Sequence, residues 1–418
     1  MGTGTLPNKA IWMLAVGVIG TLACPARTAA EGPCDIYQTA GTPCVAAHST
    51  VRALYGAYTG HLYQVKRGSD STTKDIGVLA AGGFANSATQ DSFCTGTTCT
   101  ISIIYDQSGK GNNLTSAPGG GAKAAADLRA TATALKLNAS GHMVYGVHIP
   151  AGVGYRVDKT TGIATGDQAE TEYMVTSGTY VNSGCCFDYG NAETDNHDDG
   201  SATMEAVYFG TEAYWGKGSG NGPWVMADLE NGLWAGSATV TSSNTPLTST
   251  YVTAMVRGNS GNSFALKGGN AAMGTLTTMW NGARPSGYTP MKKQGAIILG
   301  IGGDNSNGAQ GNFFEGAMTT GSTTDATDNA VQANIVAAGY GSATSSITDR
   351  AEVSTPEGLL VLPANASGRL QVVDAQGRSR FVDVVAGQAQ LGQLPVGLYH
   401  ARLLDGSAQG FQKLLILR

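Results

Sequence analysis

The sequence has few charged residues and no basic run. Only 13% of its 418 residues are charged, about half the usual share of roughly 25%, and the formal net charge is −5. Proteins that bind nucleic acid neutralise phosphates with clustered Lys and Arg, so this class is excluded. The six histidines are scattered, and neither H-E-x-x-H nor G-x-S-x-G occurs. Zinc proteases and serine hydrolases therefore have no supporting motif.

Long apolar segments are also absent, apart from one near the N-terminus. Residues 10–23 follow Lys9 and precede the small residues of 28–30. This segment is too short to span a bilayer comfortably, and its flanks are typical of a secretory signal. We predict a signal peptide over 1–30, cleaved after Ala30, with a lipid anchor on Cys24 as the alternative. The mature chain is then secreted and extracellular, free of the membrane or attached at the cell surface.

Glycine, by contrast, is abundant, at 60 of 418 residues, where an average protein has roughly 7%. Together with many Ser, Thr and Asn residues, it indicates short strands joined by many turns. Helical spacing of apolar residues predicts only two helices, one after Pro43 and one after Asp328. We therefore predict an all-β fold, a concanavalin-like jelly-roll sandwich over 31–341. Its clearest predicted strands are 100–105, 206–209, 225–229, 251–256 and 296–301.

The sequence changes character near its C-terminal end. A Ser/Thr-rich linker is predicted at 342–356, followed by a second, smaller β-sandwich domain at 357–418. Asp405-Gly406 is typical of a hairpin turn between its last two strands. The segments 394–399 and 413–416 resemble C-terminal sorting domains of bacterial type IX secretion. This resemblance implies the secretion machinery as a partner, and a plain accessory module is the alternative.

Six cysteines remain once Cys24 is set aside, an even number in an exported chain, which is typical of disulfides. Many connectivities are open, although the spacings favour local pairs. A zinc site is the alternative, but C-x₂-C spacing is absent and no histidine lies near a cysteine pair in the sequence. The six residues, in neighbouring pairs, are Cys34 and Cys44, Cys94 and Cys99, and Cys185 and Cys186.

The adjacent residues Cys185 and Cys186 are unusual. Neighbouring Cα atoms are about 3.8 Å apart across a trans peptide, below the usual disulfide span of roughly 4.4–6.8 Å. A bond between them would close a strained, rigid ring, and strain of this kind clusters at ligand sites. Two separate thiols or two longer bridges are the alternative.

Three carboxylates could carry chemistry. If 224–231 is a strand, Asp228 and Glu230 lie on one face beside Trp224. Two adjacent like charges repel and lower stability, so a functional reason for them is expected, and we predict that they line a sugar cleft. A solvated strand face is the alternative. Asp304 follows the glycines that end the predicted strand 296–301, and capping its own turn is its alternative role. Together, Glu230 and Asp304 could form a glycosidase pair, one acid protonating the leaving oxygen and the other attacking.

Several segments resemble glycoside hydrolase family 54, the arabinofuranosidase B family: 32–37, the turn 106–112, 185–193 and 295–311. The resemblance implies retaining hydrolysis of α-L-arabinofuranosides on a sandwich fold. It places the nucleophile at Glu230 and the general acid/base at Asp304. Three local disulfides, 34–44, 94–99 and 185–186, also match. The positions that match arabinose contacts are Asp228, Asn231, Trp215, Gly303, Cys185 and Cys186.

The expected function is a secreted enzyme that releases terminal L-arabinose from arabinoxylan and arabinan of the plant cell wall. No metal or organic cofactor is expected. Fungal members of the family end in an arabinose-binding β-trefoil, for which this sequence has no counterpart. One alternative is a non-catalytic, lectin-like carbohydrate-binding protein, in which Glu230→Gln would change nothing. A surface-display or adhesion protein is the other.

Overall fold

The computed structural model describes residues 1–2 and 31–342, followed by the segments 351–353, 359–361, 368–374, 378–385, 388–391, 394–395, 397–404 and 412–416. The predicted signal peptide, with Cys24 and its cleavage site, lies outside the described residues apart from its first two positions. So do most of the predicted linker and the Asp405-Gly406 turn. Within the described part, no helix combines the length and the apolar character needed to cross a membrane.

The described elements are almost all strands. The three helices are α1 (Pro33–Thr39), α2 (Ser87–Phe93) and α3 (Asp325–Ala337). The strands of the larger part are β1 (Cys44–Ser49), β2 (His61–Arg67), β3 (Thr73–Gly77), β4 (Cys99–Ile104), β5 (Leu114–Ser116), β6 (Leu135–Ala139), β7 (His142–Ile149), β8 (Tyr155–Val157), β9 (Glu170–Thr176), β10 (Asp188–Ala192), β11 (Glu205–Gly210), β12 (Trp224–Asp228), β13 (Leu233–Trp234), β14 (Val252–Gly258), β15 (Phe264–Asn270), β16 (Thr277–Gly282), β17 (Ala296–Leu299) and β18 (Gly311–Thr320).

These eighteen strands form two sheets that pack on one another. One has the order β16-β15-β14-β9-β18-β7-β6, with β1 paired to β18, and the other has the order β13-β12-β11-β10-β17-β8-β5-β4-β2-β3. Apolar side chains of both sheets fill the space between them as one core. The predicted all-β sandwich is confirmed, and the five strands predicted most clearly correspond to β4, β11, β12, β14 and β17.

The ten-stranded sheet is buried on both faces around β12, which explains the residue alternation in the sequence. Val225, Ala227 and Leu229 belong to the core between the sheets. Trp224 and Met226 belong to a separate apolar cluster on the opposite face. Since side chains of a strand alternate between faces, Asp228 projects to the same side as Trp224. That side carries the candidate site.

The helix predicted after Pro43 is wrong. Its residues form β1 and a buried turn, and β1 pairs antiparallel with β18. All six residues of β1 are buried. A strand buried on both faces has apolar residues at nearly every position, so some of them also fit the spacing of one face of a helix. The helix predicted after Asp328 is confirmed as α3, and Thr324 caps it by accepting a hydrogen bond from the Thr327 N–H at 3.2 Å.

The C-terminal strands form a third sheet with its own core. They are β19 (Ala351–Val353), β20 (Leu359–Val361), β21 (Gly368–Val373), β22 (Ser379–Val385), β23 (Gln388–Gln390), β24 (Gly397–Leu404) and β25 (Gln412–Ile416). Their order is β19-β25-β24-β21-β22-β23-β20, and buried residues such as Leu370, Val372 and Val384 pack beneath them. This agrees with a second, smaller β domain. The sorting role and the domain boundaries stay predictions.

Candidate active site

A small cavity opens where β12 and β17 of the ten-stranded sheet end. Its volume is about 110 Å³, well below the roughly 300–1,000 Å³ of pockets that hold drug-sized ligands, so it suits a single small ring. All eight residues predicted as catalytic or arabinose-contacting line it. The complete lining is Cys185, Cys186, Asp198, Trp215, Asp228, Glu230, Asn231, Gly232, Leu233, Gly302, Gly303, Asp304 and Ser306.

Glu230 reaches the cavity because the chain leaves the sheet just before it. Strand β12 ends at Asp228, and both Glu230 and Asn231 have left-handed backbone conformations, with φ of 58° and 57°. The Glu230 N–H donates to Asp228 Oδ1 at 3.1 Å, which holds this turn. Non-glycine residues with positive φ cost roughly 1–3 kcal/mol and cluster at functional sites. The turn therefore places two carboxyl groups at the same strand end.

Asp304 lies in the loop that follows β17. Its Oδ1 accepts hydrogen bonds from the Ser306 N–H at 2.9 Å and from the Ser306 hydroxyl at 2.5 Å. Asp304 thus caps its own turn, which was the alternative prediction, and it also lines the cavity. The two roles are compatible because the cap occupies only one carboxyl oxygen.

The disulfide between Cys185 and Cys186 forms one wall, and the peptide bond joining the two residues is cis. This wall is tied to the Asp304 loop, because the Cys186 N–H donates to the Ser306 carbonyl at 3.1 Å and the Gly308 N–H donates to the Cys185 carbonyl at 2.8 Å. Trp215 packs against the apolar cluster that contains Cys186, Trp224 and Met226.

The other two predicted disulfides, Cys34–Cys44 and Cys94–Cys99, are also present, and neither lines the cavity. The sulfurs of Cys185 and Cys186 lie close to the Asp228 carboxylate, within the distances of a metal site. Bonded sulfurs offer no thiolate, which is the form of cysteine that binds metals. This group therefore does not fit a metal ion.

Asp228 lines the cavity and forms a buried carboxyl pair with Asp188. Asp188, on β10, is fully buried, and neither of its carboxyl oxygens has a hydrogen-bond donor in the part of the chain that the structure describes. Burial, and then the charge of Asp228, raise the pKa of Asp188 well above its usual value. Burial also raises the pKa of Asp228 to about 7, with Glu193 and Asp304 adding to the effect. The pair therefore carries a proton at neutral pH.

Glu230 belongs to a second such pair, with Glu193. Burial raises the pKa of Glu230 to about 11, and the nearby charges of Asp228 and Glu193 add to it. Burial also raises the pKa of Glu193. Neither Asp188 nor Glu193 was predicted from the sequence. The available signal was weak: one carboxylate begins a short strand, β10, and the other directly follows it.

Asp198 is a further lining residue that was not predicted from the sequence. It lies on the loop before β11 and accepts a hydrogen bond from the Asn231 side chain at 3.1 Å. It belongs to a run of polar and acidic residues, 195–199, and is itself exposed. Its position at the cavity mouth makes it a candidate contact for whatever is attached to the bound ring.

Comparison with known proteins gives consistent results. The family model described as alpha-L-arabinofuranosidase B, catalytic, matches residues 33–341. A probable alpha-L-arabinofuranosidase B of Aspergillus terreus is 58% identical over 340 residues, covering 80% of this chain and 66% of the relative. An arabinofuranosidase/B-xylosidase of Trichoderma koningii is 57% identical over 318 residues, covering 74% of this chain and 63% of the relative. The chain thus spans about two thirds of the length of these curated relatives.

The solved structures agree. An arabinofuranosidase complexed with arabinofuranosyl-alpha-1,2-xylobiose superposes with a TM-score of 0.73 at 46% sequence identity, covering 90% of this chain and 76% of the other. A GH54 arabinofuranosidase soaked with a cyclic sulfate inhibitor gives the same TM-score at 44% identity. Together with the family match over three quarters of the chain, these likenesses leave one conclusion: the chain belongs to the arabinofuranosidase B catalytic family, glycoside hydrolase family 54.

Proposed function

We propose that the chain is a secreted, non-reducing-end α-L-arabinofuranosidase. The observation that carries the proposal is the cavity itself, in which Glu230 and Asp304 come together from the ends of two different strands. Two carboxyl groups across a small cavity are the minimum that acid/base-assisted glycoside hydrolysis requires. The identity of the sugar is inferred from the related proteins, which are named as arabinofuranosidases.

The proposed reaction is a double displacement. Asp304 in its acid form donates a proton to the departing oxygen, and Glu230 attacks the anomeric carbon to form an arabinosyl-enzyme. Asp304 then takes a proton from the water that releases arabinose with retained configuration. Because Ser306 occupies Asp304 Oδ1 with two hydrogen bonds, Oδ2 is the oxygen that would carry this proton.

The remaining lining residues would bind and orient the sugar. Asp228, which accepts from the Glu230 N–H, would hold a ring hydroxyl, and Asn231 and Gly303 would add polar contacts. Trp215 and the disulfide ring would pack against the apolar face of the furanose. A cavity of about 110 Å³ admits one terminal ring, so the enzyme would act on arabinoxylan or arabinan side chains and leave the polymer backbone intact.

Export is part of the proposal. The three disulfides suit an oxidising compartment outside the cytosol. The C-terminal sheet would then belong to a sorting domain or to an accessory domain. A variant that lacks residues 342–418 tests this, because the catalytic domain should keep its turnover whether the C-terminal sheet serves sorting or is an accessory domain.

Proton NMR of the purified enzyme with an aryl α-L-arabinofuranoside tests the activity and the stereochemistry together. We expect α-arabinose to appear first and the Glu230→Gln variant to release none. If β-arabinose appears first, the chain is still an arabinofuranosidase, but the assignment of Glu230 as nucleophile is wrong. If wild type and Glu230→Gln both bind arabinosides without turnover, the lectin-like function is the correct one.

A further inference from the structure

Glu193 has no role in the reaction above, yet it faces the nucleophile. It follows β10 and is fully buried. Its Oε1 accepts a hydrogen bond from the Thr203 hydroxyl, whereas its Oε2 has no hydrogen-bond donor among the described residues. A Cβ built on Gly303 would contact Glu193 Oε2 and lie 2.9 Å from Glu230 Oε2. Both oxygens therefore lie against the same point of the backbone.

Arg156 fixes this geometry. Its guanidinium is buried on β8 and donates to the main-chain carbonyls of Gly303, at 2.6 Å, and of Glu193. The same side chain also pairs with Asp158. Since Arg156 binds the main chain of both Glu193 and Gly303, Glu193 cannot move away from Gly303 without breaking a buried hydrogen bond. An unmade buried hydrogen bond costs about 1–3 kcal/mol, and more for a charged group, so Glu193 is held beside Gly303.

Two touching carboxyl groups cannot both be ionised, and such pairs share one proton. The Glu193 and Glu230 carboxyls both border the position of a Cβ on Gly303. Burial raises the pKa of Glu193, and the interaction with Glu230 acts against this effect. In the free site, burial and the neighbouring anions favour the proton on Glu230, whose pKa is raised to about 11. A protonated carboxyl is a poor nucleophile, so this proton must leave Glu230 before or during the attack.

We propose that Glu193 takes this proton from Glu230 as positive charge develops at the anomeric carbon, and returns it when the arabinosyl-enzyme is hydrolysed. The O–H bond of Glu230 breaks and one forms on Glu193 Oε2, while the Glu230 carboxylate bonds to the sugar. No proton is exchanged with solvent in this step. Glu193 is therefore a positioning residue that acts through Glu230. This inference rests on the proposed function.

The other charged groups around the pair favour retention of the proton within it. The anions facing Glu230 besides Glu193 raise its proton affinity, and the Asp188–Asp228 pair already holds its own proton. Arg156, the cation beside Glu193, donates to main-chain oxygens and pairs with Asp158, so it does not replace the shared proton. These groups are Asp228, Asp198 and Asp304 for Glu230, and Arg156 for Glu193.

The test is the pH profile of kcat/KM for Glu193→Gln on an aryl α-L-arabinofuranoside, taken as a ratio to wild type at each pH. The amide keeps the size and the acceptor for Thr203 but cannot take a proton. Glu230 must then lose its proton to solvent, so below its pKa the ratio should rise about tenfold per pH unit. Glu193→Asp keeps a carboxyl group and should give a ratio that does not change with pH.

Glu172→Gln is the matched control. Glu172 is also a buried glutamate whose Oε2 has no hydrogen-bond donor in the described part of the chain, but it lies on β9 with this oxygen against Gly190, so its ratio should stay near one. A Glu193→Gln ratio that is equally low at every pH overturns the proposal while the proposed function stands. Absence of arabinose release by wild type would instead overturn the proposed function.

Thr203→Val provides a second measurement if Glu193→Gln does not fold. Removing the hydroxyl that donates to Glu193 Oε1 raises the proton affinity of Glu193. The pair then takes up its second proton at higher pH, so the acidic limb of kcat/KM should shift upward. An acidic limb that stays in place would contradict proton sharing.

Discussion

Replacing Gly303 with alanine tests whether the fixed position of the glutamate pair sets the rate. The added Cβ would contact Glu193 Oε2, and it would lie 2.9 Å from Glu230 Oε2 and 3.0 Å from Met204 Sδ. The backbone of Gly303 does not have positive φ, so alanine causes no backbone strain there. The clash with the two carboxyl groups is therefore the main effect of the substitution.

The size of the effect follows from the displacement. Ordinary carbon–oxygen contact is about 3.4 Å or more, so the carboxyl groups must move by roughly 1 Å, and a misplacement of about 1 Å can cost roughly 100-fold in rate. Overpacking of this kind destabilises a protein by about 1–3 kcal/mol, which lowers Tm by several degrees without unfolding it. We expect kcat/KM to fall about 100-fold in a folded protein.

The assay is kcat and KM on an aryl α-L-arabinofuranoside, with Tm from circular dichroism. Gly308→Ala is the matched control, because a Cβ there meets only the Cys185 carbonyl, at an ordinary 3.4 Å. Its activity should stay within about threefold of wild type, the range of a well-tolerated substitution. If Gly303→Ala is as active as Gly308→Ala, the glutamate positions do not control the rate and the reasoning fails.

Three further predictions concern the surroundings of the pair. Because burial raises the pKa of Asp228 to about 7 from about 3.9 when unfolded, the contribution of this group to stability is complete below about pH 4 and is lost as the pH rises through about 7. Asp188 must take up a proton on folding, whereas a neutral amide needs none, so Asp188→Asn should raise Tm at pH 8 by about 2–4 °C, but not at pH 4. Replacing Cys185 and Cys186 with alanine should raise KM about tenfold, or roughly 1.4 kcal/mol of binding, because the ring lines the cavity. Tyr214 is 83% exposed beside Trp215, so Tyr214→Ala should slow cleavage of arabinoxylan oligosaccharides about 2–10-fold and leave aryl arabinosides unaffected.

Each of these predictions has its own control. Parallel Tm–pH curves for wild type and Asp188→Asn would show that Asp188 takes up no proton on folding. Loss of the remote Cys34–Cys44 disulfide should lower Tm and leave KM unchanged, the reverse of the pattern expected for the ring. Tyr214→Phe keeps the aromatic face and should match wild type, and an equal loss on both substrates would remove Tyr214 from polymer recognition.

The local part of the site could be predicted from sequence because its patterns are short. The alternation along 224–231 correctly separated core residues from the face that carries Asp228, since a strand has a period of two. The glycines before Asp304 correctly indicated a strand end. The adjacent cysteines could be paired from spacing and from family resemblance, and they form a disulfide.

Long-range pairing was not accessible in the same way. Glu193 lies 37 positions from Glu230 in the sequence, and β10, β11 and β12 must pair in register before the two can meet. No spacing rule specifies that register. The wrong helix after Pro43 has a related cause, because a strand buried on both faces has no alternation to distinguish it.

The distribution of cations explains how so many carboxyl groups can share one site. Burial alone would raise the pKa of Glu205, yet Lys293 and Arg284 contact it at 3.0 and 2.8 Å and hold its pKa below the usual value. No Lys or Arg is among the residues that line the cavity in the described structure, and the Arg156 guanidinium donates to carbonyls of the main chain. Protons, and not cations, therefore neutralise the carboxyl groups around Glu230. A proton can move between two oxygens as positive charge develops on a sugar, whereas a buried cation would oppose that charge throughout the reaction.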